Sequence, residues 1–556
     1  MTVQPWESIS AKKRQALAQA IPPEWLIPAD ILPPDDQADV TTFLHESGWF
    51  TDRELEILDT PSQKILAEIA SQSWTSEEVT RAFCKAAAAA QQLASSRQPI
   101  TSQINCLTDF FFEEAIAQAK ELDESLRTTG TIKGPFHGLP ISIKDNFNMI
   151  GKDSTIGLAS LADQPATSNS VLVDILVKAG AVLYVKTNIP TAMMMGESVN
   201  HVFGRTVSPL NRNMTSGGSS GGESALVAFG GSRLGVGTDI GGSLRIPAAC
   251  TGIFTIRPSF GRFPSALVRA GLAGQESIVS VAGPMARTLD EIVFWSKTVI
   301  DYAPWLLDPK CLPIPWRTVQ LPQRLRIGVL WHDGIVAPTP PVARALKEVT
   351  GKLEKAGHEV VTWKNTDYIE LLTVTGRMFL ADGGKSIKKL LEPTGEPFPA
   401  EMKPFEAAQE IGVHDLWQLH VERTRLAQAF LNRWNESGID AILCPTTPYS
   451  SAPNGKFAYG GYTTIFNALD YSAVSFPCGV HADREVDAPY ADHKSLSELD
   501  TKVQSDYDAQ AVHGAPVSLQ LVGRRLEEEK VLAMTDVILQ AISKASDCNG
   551  LAELCR

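Results

Sequence analysis

"TSGGSSGGES", residues 215–224, is the stretch on which the reading of this chain turns. A run of Gly and Ser this dense is what a flexible tether between modules looks like. The residues after it argue otherwise: "ESALVAFGGSRLGVGTDIGGSLRIPAAC", 223–250, is dense in small and apolar residues and marks no module boundary. A phosphate cradle fails as well. Walker A needs a lysine behind its glycines, and none lies between Lys186 and Lys297. "GVGTDIGG" (235–242) approaches a dinucleotide fingerprint, but Ile240 takes the third glycine position and the expected strand-turn-helix unit is absent. Gly218-Ser219-Ser220-Gly221-Gly222 fits the G-x-S-x-G nucleophile elbow, which requires a strand just before it. The preceding "SPLNRNMTSG", with a proline and two asparagines, reads as loop and disfavours the elbow.

The bulk numbers narrow the classes. At 556 residues, with 44% apolar and 20% charged residues, the chain has ordinary globular composition and enough length for a large core. Fifty basic residues against 63 acidic ones leave a net charge of −13, which argues against broad binding to nucleic acid or an anionic membrane. The eight cysteines (84, 106, 250, 311, 444, 478, 548 and 555) form no C-x-x-C pair and read as reduced thiols. The ten histidines include no H-E-x-x-H and no close pair suited to zinc, so no metal site is expected. The N-terminus lacks the apolar core of a signal peptide and no apolar run reaches 18 residues. The expectation is a cytoplasmic protein.

Along the chain, periodicity alternates between helix and strand. Residues 77–95 and 112–127 carry strong helix formers. In "FHGLPISIKDN" (136–146), Leu139, Ile141 and Ile143 recur with period two. "SVLVDILVKAGAVLYVKTN" predicts a helix ending near Gly180 and then a strand. "RLRIGVLW", a helix with Val342, Leu346, Val349 and Leu353 on one face, Gly357 and "HEVVTW" form a second β-α-β pattern. Residues 303–322, with five prolines, Trp305 and Trp316, predict a packed crossing, and 482–510 a polar surface excursion. The pattern predicts an α/β fold: a single large domain with a central mixed, twisted β-sheet flanked by helices. A helical extension is expected over 1–60, the main domain over 61–556, and a more variable insertion over about 364–435.

Three residues stand out chemically. Ser219 and Ser243 lie 24 residues apart, each in its own glycine-rich turn, and Lys144 lies 75 residues before Ser219 at the end of the GLPISIK strand. A serine hydroxyl needs a base to become a nucleophile. A buried lysine can be that base, because burial disfavours its charged form. A second serine can carry the proton between them and return it to a leaving amine. "DIGGS" sets consecutive N–H groups beside Ser243 with no side chains in the way, the makeup of an oxyanion hole. Pro247 suits a helix's first turn, which would put Ser243 near a helix N-terminus.

"GGSSGGES", "GVGTDIGGSLRIPA" and "GLPISIKDN" together resemble the amidase signature family in order and spacing. "AGAVLYVKTNIP", "DAILCPTTP" and "GAPVSLQLVGRRLEEEKVL" extend the resemblance over roughly residues 60–540. "WESISAKKRQALAQAIPPEW" and "MARTLDEIVFWSKTVI" are similar to the fungal acetamidase branch. The resemblance implies that 61–556 is an amidase signature domain with its catalytic core at about 130–265. It implies Ser243 as acylated nucleophile, Ser219 as bridging serine behind a cis Gly218–Ser219 peptide, and Lys144 as base. It implies Ile240, Gly241, Gly242 and Ser243 as oxyanion donors, with Asp239 and Arg245 orienting the loop. Met193, Met194, Met195, Gly217 and Gly218 would meet the substrate, a role as core filler being the alternative for the methionines. Arg257, Ser224 and Cys250 depart from the family's usual residues.

The resemblance implies hydrolysis of a small aliphatic or aryl carboxylic amide to acid and ammonia, without metal or organic cofactor. The alternatives are a larger secondary amide, such as a natural product or fatty acid amide, and a glutamine-dependent transamidating subunit. A small-molecule amide is the expected partner. Members of the family often dimerise, and no local motif here decides for or against a homodimer.

Overall fold

The computed structural model describes residues 5–34, 36–93 and 104–546. Cys548, Cys555 and residues 94 and 95 of the first predicted helix lie outside the described residues.

Eleven strands form one mixed sheet. In chain order they are β1 (Leu107–Phe110), β2 (Pro140–Lys144), β3 (Val182–Thr187), β4 (Leu234–Asp239), β5 (Phe254–Arg257) and β6 (Val281–Ala286). Then come β7 (Arg326–Val329), β8 (Glu359–Thr362), β9 (Ala441–Pro445), β10 (Ala473–His481) and β11 (Pro516–Val522). Their spatial order is β1-β3-β2-β4-β6-β5-β10-β11-β9-β7-β8. The strand β2 runs parallel to both β3 and β4, and β7 parallel to β8 and β9. The middle of the sheet, from β4 through β6, β5, β10 and β11 to β9, is antiparallel throughout.

Both predicted β-α-β patterns are present, as β2–helix Val171–Lys178–β3 and β7–helix Pro340–Lys355–β8. Gly180 and Gly357 end the two helices at φ +94° and +91°, the left-handed conformation that glycine adopts without a Cβ penalty. The helix Ser76–Gln92 starts at a capping box between Thr75 and Glu78. Ala86 to Ala90 are all buried, so the small side chains let this helix lie close on β2 and β3. The proline-rich crossing is packed as predicted, with Trp305 and Trp316 against the main core.

Ile141 and Ile143 lie on a strand, as their period-two spacing predicts, and every residue of Pro140–Lys144 is buried. The strand lies inside the sheet with parallel neighbours, and strands so placed are covered on both faces. The polar set, Ser142 and Lys144, points into a hydrogen-bonded interior. Two local expectations change. Residues 207–215 are not loop but a hairpin, Val207–Ser208 paired with Asn211–Thr215. A strand-turn-helix unit does surround "GVGTDIGG", since β4 leads through a turn into the helix Arg245–Thr251. Gly235 and Gly237 lie within the strand, however, not in the turn that a dinucleotide would need.

Candidate active site

The strand β2 ends at Lys144, whose side chain is fully buried. The glycine-rich stretch 216–220 leaves the hairpin and enters the helix Gly221–Phe229, which packs against β2, β3, β4 and β6. Gly222 makes this contact feasible: a Cβ there would meet the Asn188 amide nitrogen at 2.3 Å and the Cys106 carbonyl at 2.5 Å. The Gly218–Ser219 peptide is cis. Ser219 sits where Lys144 Nζ reaches its Oγ at 2.7 Å, while Thr238 Oγ1 of β4 accepts from the same nitrogen at 2.9 Å.

Burial dominates the electrostatics of Lys144. It pushes the ammonium pKa down to about 7, against the opposing pull of Asp239, Glu223 and Asp145. Those carboxylates are engaged elsewhere. Asp145 accepts from the Ile156 amide at 2.7 Å and from Thr108 Oγ1 at 3.0 Å. Glu223 accepts from Ser142 Oγ at 2.6 Å and Thr187 Oγ1 at 2.9 Å, and burial pushes its own pKa up to about 8. At neutral pH a large share of both Lys144 and Glu223 is uncharged, so a neutral amine beside Ser219 is an accessible state.

Ser243 lies in the turn from β4 into the helix Arg245–Thr251. Its backbone carbonyl accepts from the Ser220 amide at 3.2 Å, which ties the two glycine-rich turns together. Asp239 organises this turn. Its carboxylate accepts from the Gly242 amide at 2.8 Å, the Leu244 amide at 3.1 Å and Arg245 Nε at 3.1 Å. Burial alone would raise its pKa, but Arg245, Arg257 and Asn467 outweigh it and hold the carboxyl at about 2. Arg245 in turn donates to Asn467 Oδ1 at 2.6 Å, Thr463 O at 3.1 Å and Gln520 Oε1 at 3.2 Å. Breaking a buried pair of this kind leaves an uncompensated charge. Arg245→Leu is therefore expected to lower the unfolding free energy by about 3–5 kcal/mol, measured by urea unfolding. A loss below about 1 kcal/mol would mean that Asp239 finds another partner or a proton.

One expected oxyanion donor is already committed: the Gly242 N–H is bonded to Asp239. Among the described residues, no acceptor meets the N–H of Ile240, Gly241 or Ser243. Gly242 itself holds φ +128°, and a Cβ there would lie 2.1 Å from Thr463 Oγ1.

Ser219, Ser243, Thr238 and Ile240 open onto a cavity of about 380 Å³. The hydroxyl of Ser243 makes no hydrogen bond among the described residues and faces this space. Met193 and Met194 line the cavity, but Met195 does not; it is buried in an adjoining apolar cluster with Ile387 and Phe405. Gly217 and Gly218 do not line it either. The backbone of Pro247 backs the first, and the backbones of Glu197 and Met195 back the second, so both glycines serve close packing.

The family model described as Amidase matches residues 78–532. The chain belongs to the amidase signature family. It is 38% identical to the acetamidase of Emericella nidulans over 551 residues, covering 96% of this chain and 98% of that one. Amidase 1 of Gibberella moniliformis is 41% identical over 449 residues, 79% of this chain and 86% of its own. Among solved structures, a fatty acid amide hydrolase superposes with a TM-score of 0.91 at 33% identity, covering 97% of this chain and 95% of that one. The chain is thus an amide-hydrolysing enzyme of this family, and no helix among the described residues is long and apolar enough to cross a membrane.

The three residues set apart from the family's usual ones in the sequence lie in buried surroundings. Arg257 donates to Tyr471 O at 2.9 Å and Asp470 Oδ1 at 2.8 Å, and Ser224 Oγ to Ser216 O at 3.0 Å. Cys250 is buried and unpaired. Sequence reasoning missed much of the amidase cavity wall, which comes from 265–282 and includes Arg269, Leu272 and Gln275. A signal was available: between β5 and β6 the chain runs more than twenty residues without helix or strand, and ordered loops of that length are commonly functional.

Proposed function

We propose that this amidase hydrolyses a small carboxylic amide, aliphatic or aryl, to the acid and ammonia through an acyl-Ser243 intermediate. In this reading Lys144, neutral, takes the proton of Ser219 as Ser219 takes that of Ser243. Ser243 Oγ attacks the amide carbon, and the carbonyl oxygen gains charge against the N–H groups of Ile240, Gly241 and Ser243. The C–N bond then breaks as the proton returns through Ser219 to the departing nitrogen, so that ammonia leaves and not an amide anion. Water repeats the cycle on the ester and releases the acid. The relay requires Ser243 Oγ to donate to Ser219 Oγ, and catalytic hydrogen bonds of this kind are often long until substrate is bound.

The observation that carries this reading is the buried lysine: Nζ 2.7 Å from Ser219 Oγ, beside a cavity shared with Ser243. A volume of about 380 Å³ lies at the low end for small-molecule pockets, which run from about 300 to 1,000 Å³. That favours a compact amide. The likeness to a fatty acid amide hydrolase over 97% of the chain supports a second reading, a larger secondary amide. Ammonia release from acetamide, longer aliphatic amides, benzamide and indole-3-acetamide, with a long-chain acyl amide assayed for free acid, separates the two. Turnover of the short primary amides is expected. Turnover of the long-chain substrate alone would overturn the compact-amide reading and leave the relay standing.

A further inference from the structure

One peptide plane in the Ser243 turn is held at both ends. The Gly242 N–H donates to Asp239 Oδ1 at 2.8 Å. On the other side, the Gly241 carbonyl receives two hydroxyls, Thr463 Oγ1 at 2.8 Å and Thr464 Oγ1 at 2.9 Å. No other donor reaches that carbonyl among the described residues. Thr463 and Thr464 belong to the helix Gly461–Ala468, so the clamp comes from a part of the chain more than two hundred residues away. We infer that Thr463 and Thr464 are positioning residues, which fix the Gly241–Gly242 peptide and thereby aim the flanking N–H groups of Gly241 and Ser243 at the oxyanion. This rests on the proposed role of that turn.

The physical need is clear. A peptide between two glycines has no Cβ on either side to hinder rotation. A change of ψ at Gly241 or of φ at Gly242 that the other does not compensate would swing the planes before and after this one and re-aim their N–H groups, and oxyanion donors act only when held in place beforehand. The clamp is also redundant. Each threonine hydroxyl reaches Gly460 O as well, at 2.9 Å from Thr463 and 3.0 Å from Thr464. Gly460 O already accepts the amides of both residues, whereas Gly241 O has only the hydroxyls. One proton is therefore always available to Gly241 O, even when a single hydroxyl remains.

That redundancy sets the test. The single variants Thr463→Val and Thr464→Val are expected to keep kcat within about 3-fold of wild type. The double variant is expected to lose kcat by about 10–100-fold, with KM little changed. Its affinity for a boronic acid that forms a tetrahedral adduct on serine should fall by a similar factor, while affinity for the carboxylic acid product stays as in wild type. Thr463→Ser/Thr464→Ser, which keeps both hydroxyls, should restore kcat. A folded double valine variant with wild-type kcat, or one that loses kcat and keeps its boronate affinity, overturns the inference. If the valines prevent folding, Thr463→Ala/Thr464→Ala replaces them with the same expectations. Failure of both to fold also overturns it, since the hydroxyls would then serve the fold and not the turn. Ser243→Ala assayed alongside separates the two levels: an active alanine variant defeats the proposed mechanism, whereas a dead one beside a fully active double valine variant defeats the clamp alone.

Discussion

Ser243→Ala is expected to abolish amide hydrolysis, with kcat falling by roughly 10⁴-fold or more, while the protein melts as wild type. The size follows from the chemistry. Without the hydroxyl no acyl-enzyme can form, and what survives is a bound amide beside oxyanion donors and a general base, an arrangement that retains only a residue of catalysis over water. The side chain makes no hydrogen bond among the described residues and opens onto the cavity, so its removal costs the fold little. Ammonia release from the best primary amide, read beside a thermal melt, makes the measurement. A variant that keeps even a tenth of wild-type kcat would mean that another group attacks the carbonyl, with Ser219 the next candidate because Lys144 Nζ already contacts it.

The second large effect is at Lys144, and it has a pH signature. The base must be neutral to accept a proton. Burial brings its pKa down to about 7, so the active form is lost as pH falls through that value. In wild type, kcat/KM is expected to be flat above about pH 8 and to fall about tenfold per unit below about pH 6. Lys144→Met keeps the stem and removes the amine. It is expected to lower kcat/KM by about 10³-fold, within the 10²–10⁴ range typical of general acid–base catalysis, and to flatten the acid limb in what remains. A Met variant that retained the limb near pH 7 would assign it to another group. One candidate is Glu223, whose own pKa burial pushes up to about 8. The profile is read on kcat/KM because that ratio reports the free enzyme.

Much of the site is written locally in the chain. Small residues at 215–222 and 241–243 let backbones approach closely, and a lysine closing an apolar strand has few partners but the interior. Those are short-range facts: glycine permits a close approach, periodicity sets a strand, and Ser, Ser and Lys are the groups a metal-free acyl transfer would use. The two β-α-β units were readable for the same reason, since their apolar spacing, their glycine stops and their lengths all lie within about fifty residues of chain.

What the tertiary structure decided is everything that depends on a distant partner. Met193, Met194 and Met195 are alike in sequence, yet two line the cavity and one is buried in the cluster around Ile387 and Phe405. The four N–H groups of the DIGGS turn look equivalent, yet Asp239 consumes that of Gly242. Threonines 463 and 464 carry no mark in "GGYTTIFNALD", because their meaning comes from a carbonyl brought to them from Gly241. The spacing in β2 marked a strand, and it is the neighbours β3 and β4 and the helix Gly221–Phe229 that enclose its polar residues. Periodicity determined the α/β class, and the glycine-rich turns with their spacing to Lys144 marked the three candidate groups, since both are read along the chain. Hydrogen-bond competition and burial are set by which segments meet in space, and these alone determined which glycine N–H Asp239 takes, which methionines line the cavity and how far the lysine pKa falls.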